Sequence, residues 1–385
     1  MNREQDSAFI PFNKPYFTGK ELEYIQQAHN QWHLSGDGPF TRKCHAWLEQ
    51  SIGTRKALLT HSCTAALEMA AILIGIESGD EVIMPSYTFV STANAFVLRG
   101  GLPVFVDIRP DTLNIDESKI EAAITKKTKV IVVVHYGGIA CEMDTILSIA
   151  HKHNLFVIED AAQAIGAKYK GKPLGSIGHL SALSFHETKN IISGEGGALL
   201  INDDRFIERA EIIREKGTDR NRFLKGQVDK YTWVDIGSSY LPSDLTAAFL
   251  WAQLEEFEKI MHRRKALWDK YHESFSEAEV KGYLRRPVIP ENCQSNAHLY
   301  YILLPTAKKR DSVLSLLNKK GVNVVFHYIP LHDSPAGEKY GRTSVPMQVT
   351  VEMSRRIIRL PLWIGLEKNQ NRVIDEVLLE VGGRQ

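Results

Sequence analysis

An amine, a carboxylate and a hydroxyl-bearing turn stand in this chain at places where chemistry is possible. Lys189 lies in Ser184-Phe-His-Glu-Thr-Lys-Asn, five residues beyond the end of an apolar run and shortly before Gly194, Gly196 and Gly197. A lysine delivered into a cleft can form a Schiff base with an aldehyde. Glu159-Asp160 closes the apolar run Leu155–Ile158. Adjacent side chains on a strand face opposite ways, so one of the two acids can point into a cleft. A carboxylate buried there needs a cationic partner. Ser62-Cys63-Thr64 opens a helical stretch that runs to Ile76, and the free N–H groups and positive end of a helix favour an anion there. Each feature also has an ordinary reading: a solvated lysine, a polar strand-to-helix turn, an N-cap. Taken together they match pyridoxal phosphate (PLP), which needs a phosphate cradle, an acid for its pyridinium nitrogen and a lysine for its aldehyde. Thr64, Asp160 and Lys189 supply these in that order.

These residues must be positioned by a sheet. Between residues 56 and 202 apolar runs of strand length alternate with stretches of helical spacing. The runs are 56–60, 81–85, 103–108, 129–135 and 155–160, followed by 180–186 and 196–203. The helical stretches are 64–76, 88–99, 115–124 and 143–154. Unbroken apolar strands suit a sheet buried on both faces, and strand–helix alternation predicts an α/β fold with a mainly parallel sheet. Ligands of such sheets sit at the carboxyl ends of the strands, where Ser62–Thr64, Asp160 and Ser184 fall. After residue 230 the pattern changes. A long helical region (243–275) leads to a strand in 298–305, a helix in 312–321 and a strand in 322–332. This predicts a large domain (1–245) and a smaller α+β C-terminal domain (246–385).

Composition excludes other classes. The 385 residues carry 47 Lys and Arg against 46 Asp and Glu, a net charge of +1, without the basic excess of a nucleic-acid binder. The polar N-terminal segment does not read as a secretory signal, and no apolar run approaches a membrane span, so a cytoplasmic protein is expected. The four cysteines form no C-x-x-C, which speaks against a disulfide framework or a zinc site, and no metal is expected. No G-x-G-x-x-G follows the first strand. Gly166-Ala-Lys-Tyr-Lys-Gly171-Lys172 approaches a P-loop, but Pro173 stands where a hydroxyl should bind Mg²⁺.

With these residues in view, H-S-C-T-A-A-L (61–67), P-S-Y-T-F-V-S-T-A-N-A (85–95), V-I-E-D-A-A-Q-A-I-G-A (157–167), S-F-H-E-T-K-N (184–190) and G-E-G-G (194–197) resemble the DegT/StrS family of nucleotide-sugar aminotransferases. The likeness extends from G-D-G-P-F-T (36–41) to H-Y-I-P-L-H (327–332). It implies fold type I of the PLP enzymes, with Lys189 as the Schiff-base lysine and proton carrier and Asp160 as the partner of the pyridinium nitrogen. Gln163 would bond the ring hydroxyl and Phe89 stack on the ring, while the Cys63 backbone, Thr64 and Ser184 hold the phosphate. Many members carry G-x-N-Y-R where this chain has Gly237-Ser238-Ser239-Tyr240-Leu241. Ser239 would then take over, with a shorter reach, a contact to the partner subunit's cofactor phosphate, implying a homodimer with shared sites. The implied substrates are glutamate and a dTDP-linked sugar, dTDP-4-keto-6-deoxyglucose. The loop from Arg220-Asn221-Arg222 to Lys225 is a candidate for its diphosphate. A dehydratase relative, with histidine in place of the lysine, and a non-catalytic PLP-bound regulator are the competing readings; Lys189 argues against the first.

Overall fold

The computed structural model describes residues 9–224 and 226–382. The first eight residues of the polar N-terminal segment and Lys225 lie outside that range. The strands of the two sheets described here are β1 (Lys56–Thr60), β2 (Glu81–Pro85), β3 (Leu102–Val106), β4 (Thr128–Val134), β5 (Phe156–Asp160), β6 (Leu180–Ser184), β7 (Gly197–Ile201), β8 (Tyr300–Leu303), β9 (Arg342–Thr343) and β10 (Ile357–Leu360). Eight of them form the central sheet in the order β1-β7-β6-β5-β4-β2-β3-β9. The pairings from β6 through β5, β4, β2 and β3 to β9 are parallel. Only β7 runs against its neighbours β1 and β6. The fold is therefore the mainly parallel α/β sheet that the apolar runs predict.

Alternation along the strands builds a core on each face. Ile131 and Val133 of β4 face one way, toward Phe40, Cys44, Leu48 and Ile52 of the helix Pro39–Ile52 and toward the helix Met143–His153. Val130 and Val132 face the other way, into a core shared with Ala65–Leu73 of the helix Cys63–Leu73. Both faces are dry, which explains why β4 reads as an unbroken run of valine and isoleucine.

A second core forms around the antiparallel pair β8 and β10, in which Tyr300 lies opposite Leu360. Leu267, Trp268 and Tyr271 of the helix Phe257–Ser274 pack into it, as do the helices Ala307–Lys319 and Gln370–Gly382. Three details differ from the sequence pattern. The long helical region is two helices, Asp244–Glu255 and Phe257–Ser274, broken at Glu256 (φ −99°, ψ 14°). The first of these lies in the core under the central sheet, through Ala247, Ala248, Leu250 and Leu254. Residues 322–332 form no strand; they make single bridges, Ile10 with Val322 and Val325 with Arg359, and Tyr328 has a left-handed φ of 32° that ends the extension. The strand opposite β8 is instead β10. The P-loop-like segment is a hairpin, Lys168–Tyr169 against Lys172–Pro173, with Gly171 in its turn.

Candidate active site

The carboxyl ends of β4, β5 and β6 lie side by side, and the chain beyond each turns into one cavity of about 530 Å³. Cys63, Thr64, Phe89, Asp160, Gln163, Ser184 and Lys189 all line it. The structure thus brings together the sequence-predicted cofactor residues except Ser239, and leaves the loop cations Arg220 and Arg222 outside. Ser239 is exposed and pairs with Glu215 outside the cavity.

One end of the cavity is a helix N-terminus. Ser62 caps the helix Cys63–Leu73, its side chain accepting from Ala65 N–H at 3.1 Å. The N–H groups of Cys63 and Thr64 begin the helix and are out of reach of any intrahelical carbonyl. Thr64 Oγ1 donates to Ser91 Oγ at 2.8 Å, and Ser184, ending β6, faces the same space. Gly197 makes the cradle possible: a Cβ on it would stand 2.4 Å from Cys63 N and from Ser62 C.

Asp160 ends β5 on the cavity side and is 6% exposed. Its Oδ2 accepts from Thr92 Oγ1 at 2.7 Å and its Oδ1 from Ala162 N–H at 3.1 Å. Burial raises its pKa; those two hydrogen bonds and the charge of Lys189 act against the rise. Glu159 faces away from the cavity, into a closed hub. It accepts from the N–H groups of Gly175, Ile177 and Gly178 at 2.6–2.8 Å and pairs with His135 Nε2 at 2.9 Å. Because the Cys141 N–H donates to His135 Nδ1, the ring proton is on Nε2 and points to the carboxylate. The two adjacent acids therefore do different work, one structural and one facing the ligand.

Lys189 sits on the loop that joins β6 to β7, held as a tight return by Phe185 N–H to Gly196 O (2.8 Å), Glu187 N–H to Gly194 O (2.8 Å) and Lys189 N–H to His186 O (2.9 Å). Burial lowers the pKa of its amine, Asp160 opposes that, and the charge of Arg359 lowers it further. Gln163 is fixed at both ends of its amide, accepting from Gly137 N–H at 2.7 Å and donating to Tyr328 OH at 2.9 Å. Phe89, at the start of the helix Val90–Val97, is 56% exposed at the cavity rim, 6.3 Å from the Tyr328 ring.

Several lining residues carried no assigned role in the sequence reading. His327 is stacked on Tyr328 at 3.7 Å and bonded through Nδ1 to Tyr136 OH at 2.7 Å. His298 Nδ1 meets Asn190 Oδ1 at 2.9 Å. Burial pushes the pKa of both histidines far down, so both are neutral. Arg359 adds a cation from β10. The H-Y-I-P-L-H motif was the only sequence signal for any of these. Arg220 and Arg222 line no part of the cavity and pair with Glu215 and Glu208.

A cradle for a phosphate, a buried acid oriented by two donors and a desolvated lysine fit PLP, and the fold with this site defines a PLP-dependent transaminase. The chain belongs to the DegT/DnrJ/EryC1/StrS aminotransferase family, whose model matches residues 15–378. It is 32% identical to the spore coat polysaccharide biosynthesis protein SpsC of Bacillus subtilis over 96% of this chain and 95% of that one. It is also 32% identical to GDP-perosamine synthase of Escherichia coli O157:H7, over 97% and 98% of the two chains. Among solved structures, Spr1654 of Streptococcus pneumoniae in its PMP form superposes with a TM-score of 0.90 at 26% identity, covering 97% of this chain and 99% of that one. The same protein has been solved in a PLP form. Among the described residues no helix is long and apolar enough to cross a membrane.

Proposed function

We propose that this aminotransferase moves the amino group of glutamate to C4 of dTDP-4-keto-6-deoxyglucose, yielding dTDP-4-amino-4,6-dideoxygalactose. It would act in the cytoplasm, in the synthesis of a cell-surface polysaccharide such as enterobacterial common antigen. The observation that carries the transfer chemistry is the placement of Lys189 and Asp160 in one cavity with the helix N-terminus at Cys63. The choice of sugar is supported by the likeness of residues 229–241 and 325–332 to dTDP-4-amino-4,6-dideoxygalactose transaminase, including its Ser238-Ser239-Tyr240. A GDP-linked sugar is the second reading, favoured by the relative named GDP-perosamine synthase.

When bound, PLP supplies an electron sink conjugated to the reacting carbon. Asp160, held by Thr92 and Ala162, keeps a negative charge against the pyridinium nitrogen. The Cys63 N–H, Thr64 and Ser184 hold the phosphate, Gln163 meets the ring hydroxyl, and Phe89 covers one ring face. The lowered pKa of Lys189 leaves Nζ able to take a proton from the donor's Cα and later to deliver one to the sugar's C4. Ser239, exposed on the 216–239 segment, is offered to the cofactor phosphate of a second subunit in a homodimer. Our division of the chain is a large domain (1–245) and a smaller C-terminal domain (246–385), the latter sending the helix Asp244–Glu255 and β9 back to the central sheet. Incubation with dTDP-, UDP- and GDP-linked 4-keto-6-deoxy sugars and glutamate, read by NMR, tests the assignment. The expected product is a dTDP-linked sugar with an equatorial-to-axial change at C4 relative to the gluco amine; conversion of the GDP or UDP sugar alone would overturn it.

A further inference from the structure

Of the three histidines that line the active-site cavity, one is fixed by its surroundings as a hydrogen-bond acceptor. His298 stands just before β8 and is 7% exposed. Its Nδ1 lies 2.9 Å from Asn190 Oδ1. The Asn190 amide nitrogen is engaged by Asn296 O at 2.8 Å, so the amide oxygen faces the histidine and accepts. The proton of the neutral ring is therefore on Nδ1, and Nε2 is bare. That nitrogen meets no partner among the described residues and opens onto the cavity. The other two rings differ. His186 Nδ1 accepts from Thr188 N–H at 3.2 Å, which makes its Nε2 a donor toward Glu195. His327 Nδ1 faces the Tyr136 hydroxyl, which can give or take.

The chain around His298 holds that ring still. Its N–H donates to Asn296 Oδ1 at 3.1 Å, and Asn296 Nδ2 spans Gln163 O and Ile165 O at 2.8 and 2.9 Å, beyond the end of β5. From the other side Arg264, on the helix Phe257–Ser274, donates Nη2 to His298 O at 2.7 Å and Nε to Ala297 O at 3.2 Å. Ala297 is held at a left-handed φ of 52°, a conformation that persists only where neighbours enforce it. Arg264 is buried, and no carboxylate of the described residues lies within 4.0 Å of it. Its uncompensated charge opposes a second proton on the ring, as do the charges of Lys189 and Arg359.

Asn190 ties this acceptor to the residue before it, Lys189. The charge of Lys189 is the strongest electrostatic influence on His298, so the two groups are neighbours in the cavity. A desolvated amine that takes up a proton presents N–H groups that need acceptors. Asp160 is already engaged by Thr92 and Ala162, and Glu195 turns to His186. We propose that His298 Nε2 accepts a hydrogen bond from the free amine of Lys189 and holds Nζ in place while it carries a proton. Asn190 sets the tautomer for this and Arg264 the backbone. His298 is thus a positioning residue for the proton carrier and takes no proton itself. The inference rests on Lys189 being the transaminase lysine, and adds what keeps it aimed once it is free of the cofactor.

Two variants separate the acceptor from the clasp. His298→Asn keeps an amide N–H for Asn190 and removes the group at Nε2; His298→Gln returns an oxygen near the Nε2 position. The first readout is the rate at which cofactor-free protein captures PLP on Lys189, followed by absorbance across pH, whose midpoint reports the amine. Losing a hydrogen bond from the charged amine should move that midpoint about 1–2 pH units toward acid in His298→Asn, and by less than about half a pH unit in His298→Gln. The glutamate half-reaction on PLP-loaded protein and the keto-sugar half-reaction on pyridoxamine phosphate-loaded protein are measured apart. Both should slow roughly 10- to 100-fold in His298→Asn, with KM changed less than about threefold. An unmoved midpoint would overturn the proposal. So would a loss confined to one half-reaction and carried by its KM, which would give Nε2 to that substrate. Should His298→Asn fail to fold, ¹⁵N NMR of histidine-labelled, cofactor-free wild type and Lys189→Ala carries the test. Nε2 should resonate as a bare ring nitrogen and shift when the amine is removed; the reverse tautomer, or an unshifted signal, would overturn the proposal. The midpoint and the NMR signal involve no sugar, so a wild type that aminates no dTDP-linked sugar would sink the functional reading alone.

Discussion

Thr92 should control how tightly the cofactor is held, although it reaches no ligand itself. Its hydroxyl proton is committed to Asp160 Oδ2 at 2.7 Å, so the 2.8 Å contact with Thr88 must be donated by Thr88. The result is a short relay, Thr88 to Thr92 to Asp160, of which Thr92 is fully buried. Thr92→Val keeps the branched shape and removes the donor. A hydrogen bond to a charged group contributes about 1.5–3 kcal/mol, which corresponds to roughly a 10- to 150-fold loss of PLP affinity. The loss should deepen toward acid pH, because burial already raises the Asp160 pKa and the hydrogen bond from Thr92 is the first influence opposing it. Fluorescence titration of cofactor-stripped protein with PLP across pH measures this directly. Thr88→Val, which leaves the bond to Asp160 intact, should change affinity by less than about threefold. Affinity for Thr92→Val within twofold of wild type, with an unshifted pH profile, would refute the view that Thr92 keeps Asp160 charged.

Other expectations follow from the same geometry. Gly197→Ala places a methyl 2.4 Å from Cys63 N; the forced shift should cost about 1–3 kcal/mol and show as weakened PLP loading with little change in far-UV circular dichroism. The raised pKa of Asp160 means that its contribution to the cofactor-free protein is fully present below the ordinary value of 3.8 and is lost as pH rises through the raised one. Cofactor-free Asp160→Asn should therefore resist urea better than wild type near neutral pH, the advantage vanishing below 3.8, while PLP binding is lost throughout. Glu159→Gln breaks a hub with three backbone donors and His135; a loss of about 3–5 kcal/mol in urea unfolding is expected.

Much of this site is legible in the sequence because burial leaves a mark. Strands covered on both faces, such as Val130–Val134, admit only apolar residues, and the polar residues that follow them must then stand at the sheet's carboxyl edge. Asp160 and Ser184 were placed by that rule. Other features leave no such mark. The break at Glu256 has neither glycine nor proline; it arises where one helix leaves the first core and the next enters the second. Residues 322–332 have strand-like composition, yet Val322 and Val324 go to the second core, Phe326 and Ile329 are exposed, and the turn at Tyr328 leaves His327 and Tyr328 on the cavity. β10 is four residues long and follows a helix directly, too short for periodicity to reveal. Arg359 was hidden with it, since a single basic residue among Ile, Ile and Leu reads as a solvated edge until the fold shows what it faces. Ser239 lies outside the cavity of its own chain, paired with Glu215, and only the resemblance, not a spacing or burial pattern, singled it out.

The transfer of the amino group itself is the most direct measurement. Protein loaded with PLP is incubated with ¹⁵N-glutamate and dTDP-4-keto-6-deoxyglucose, and the sugar is followed by ¹H–¹⁵N NMR. Wild type should place ¹⁵N on C4 with equimolar 2-oxoglutarate, and Lys189→Ala should place none within the same time. Label reaching C4 at an undiminished rate in Lys189→Ala, or an unaltered sugar nucleotide with wild type, would contradict the assignment of this cavity as the transamination site.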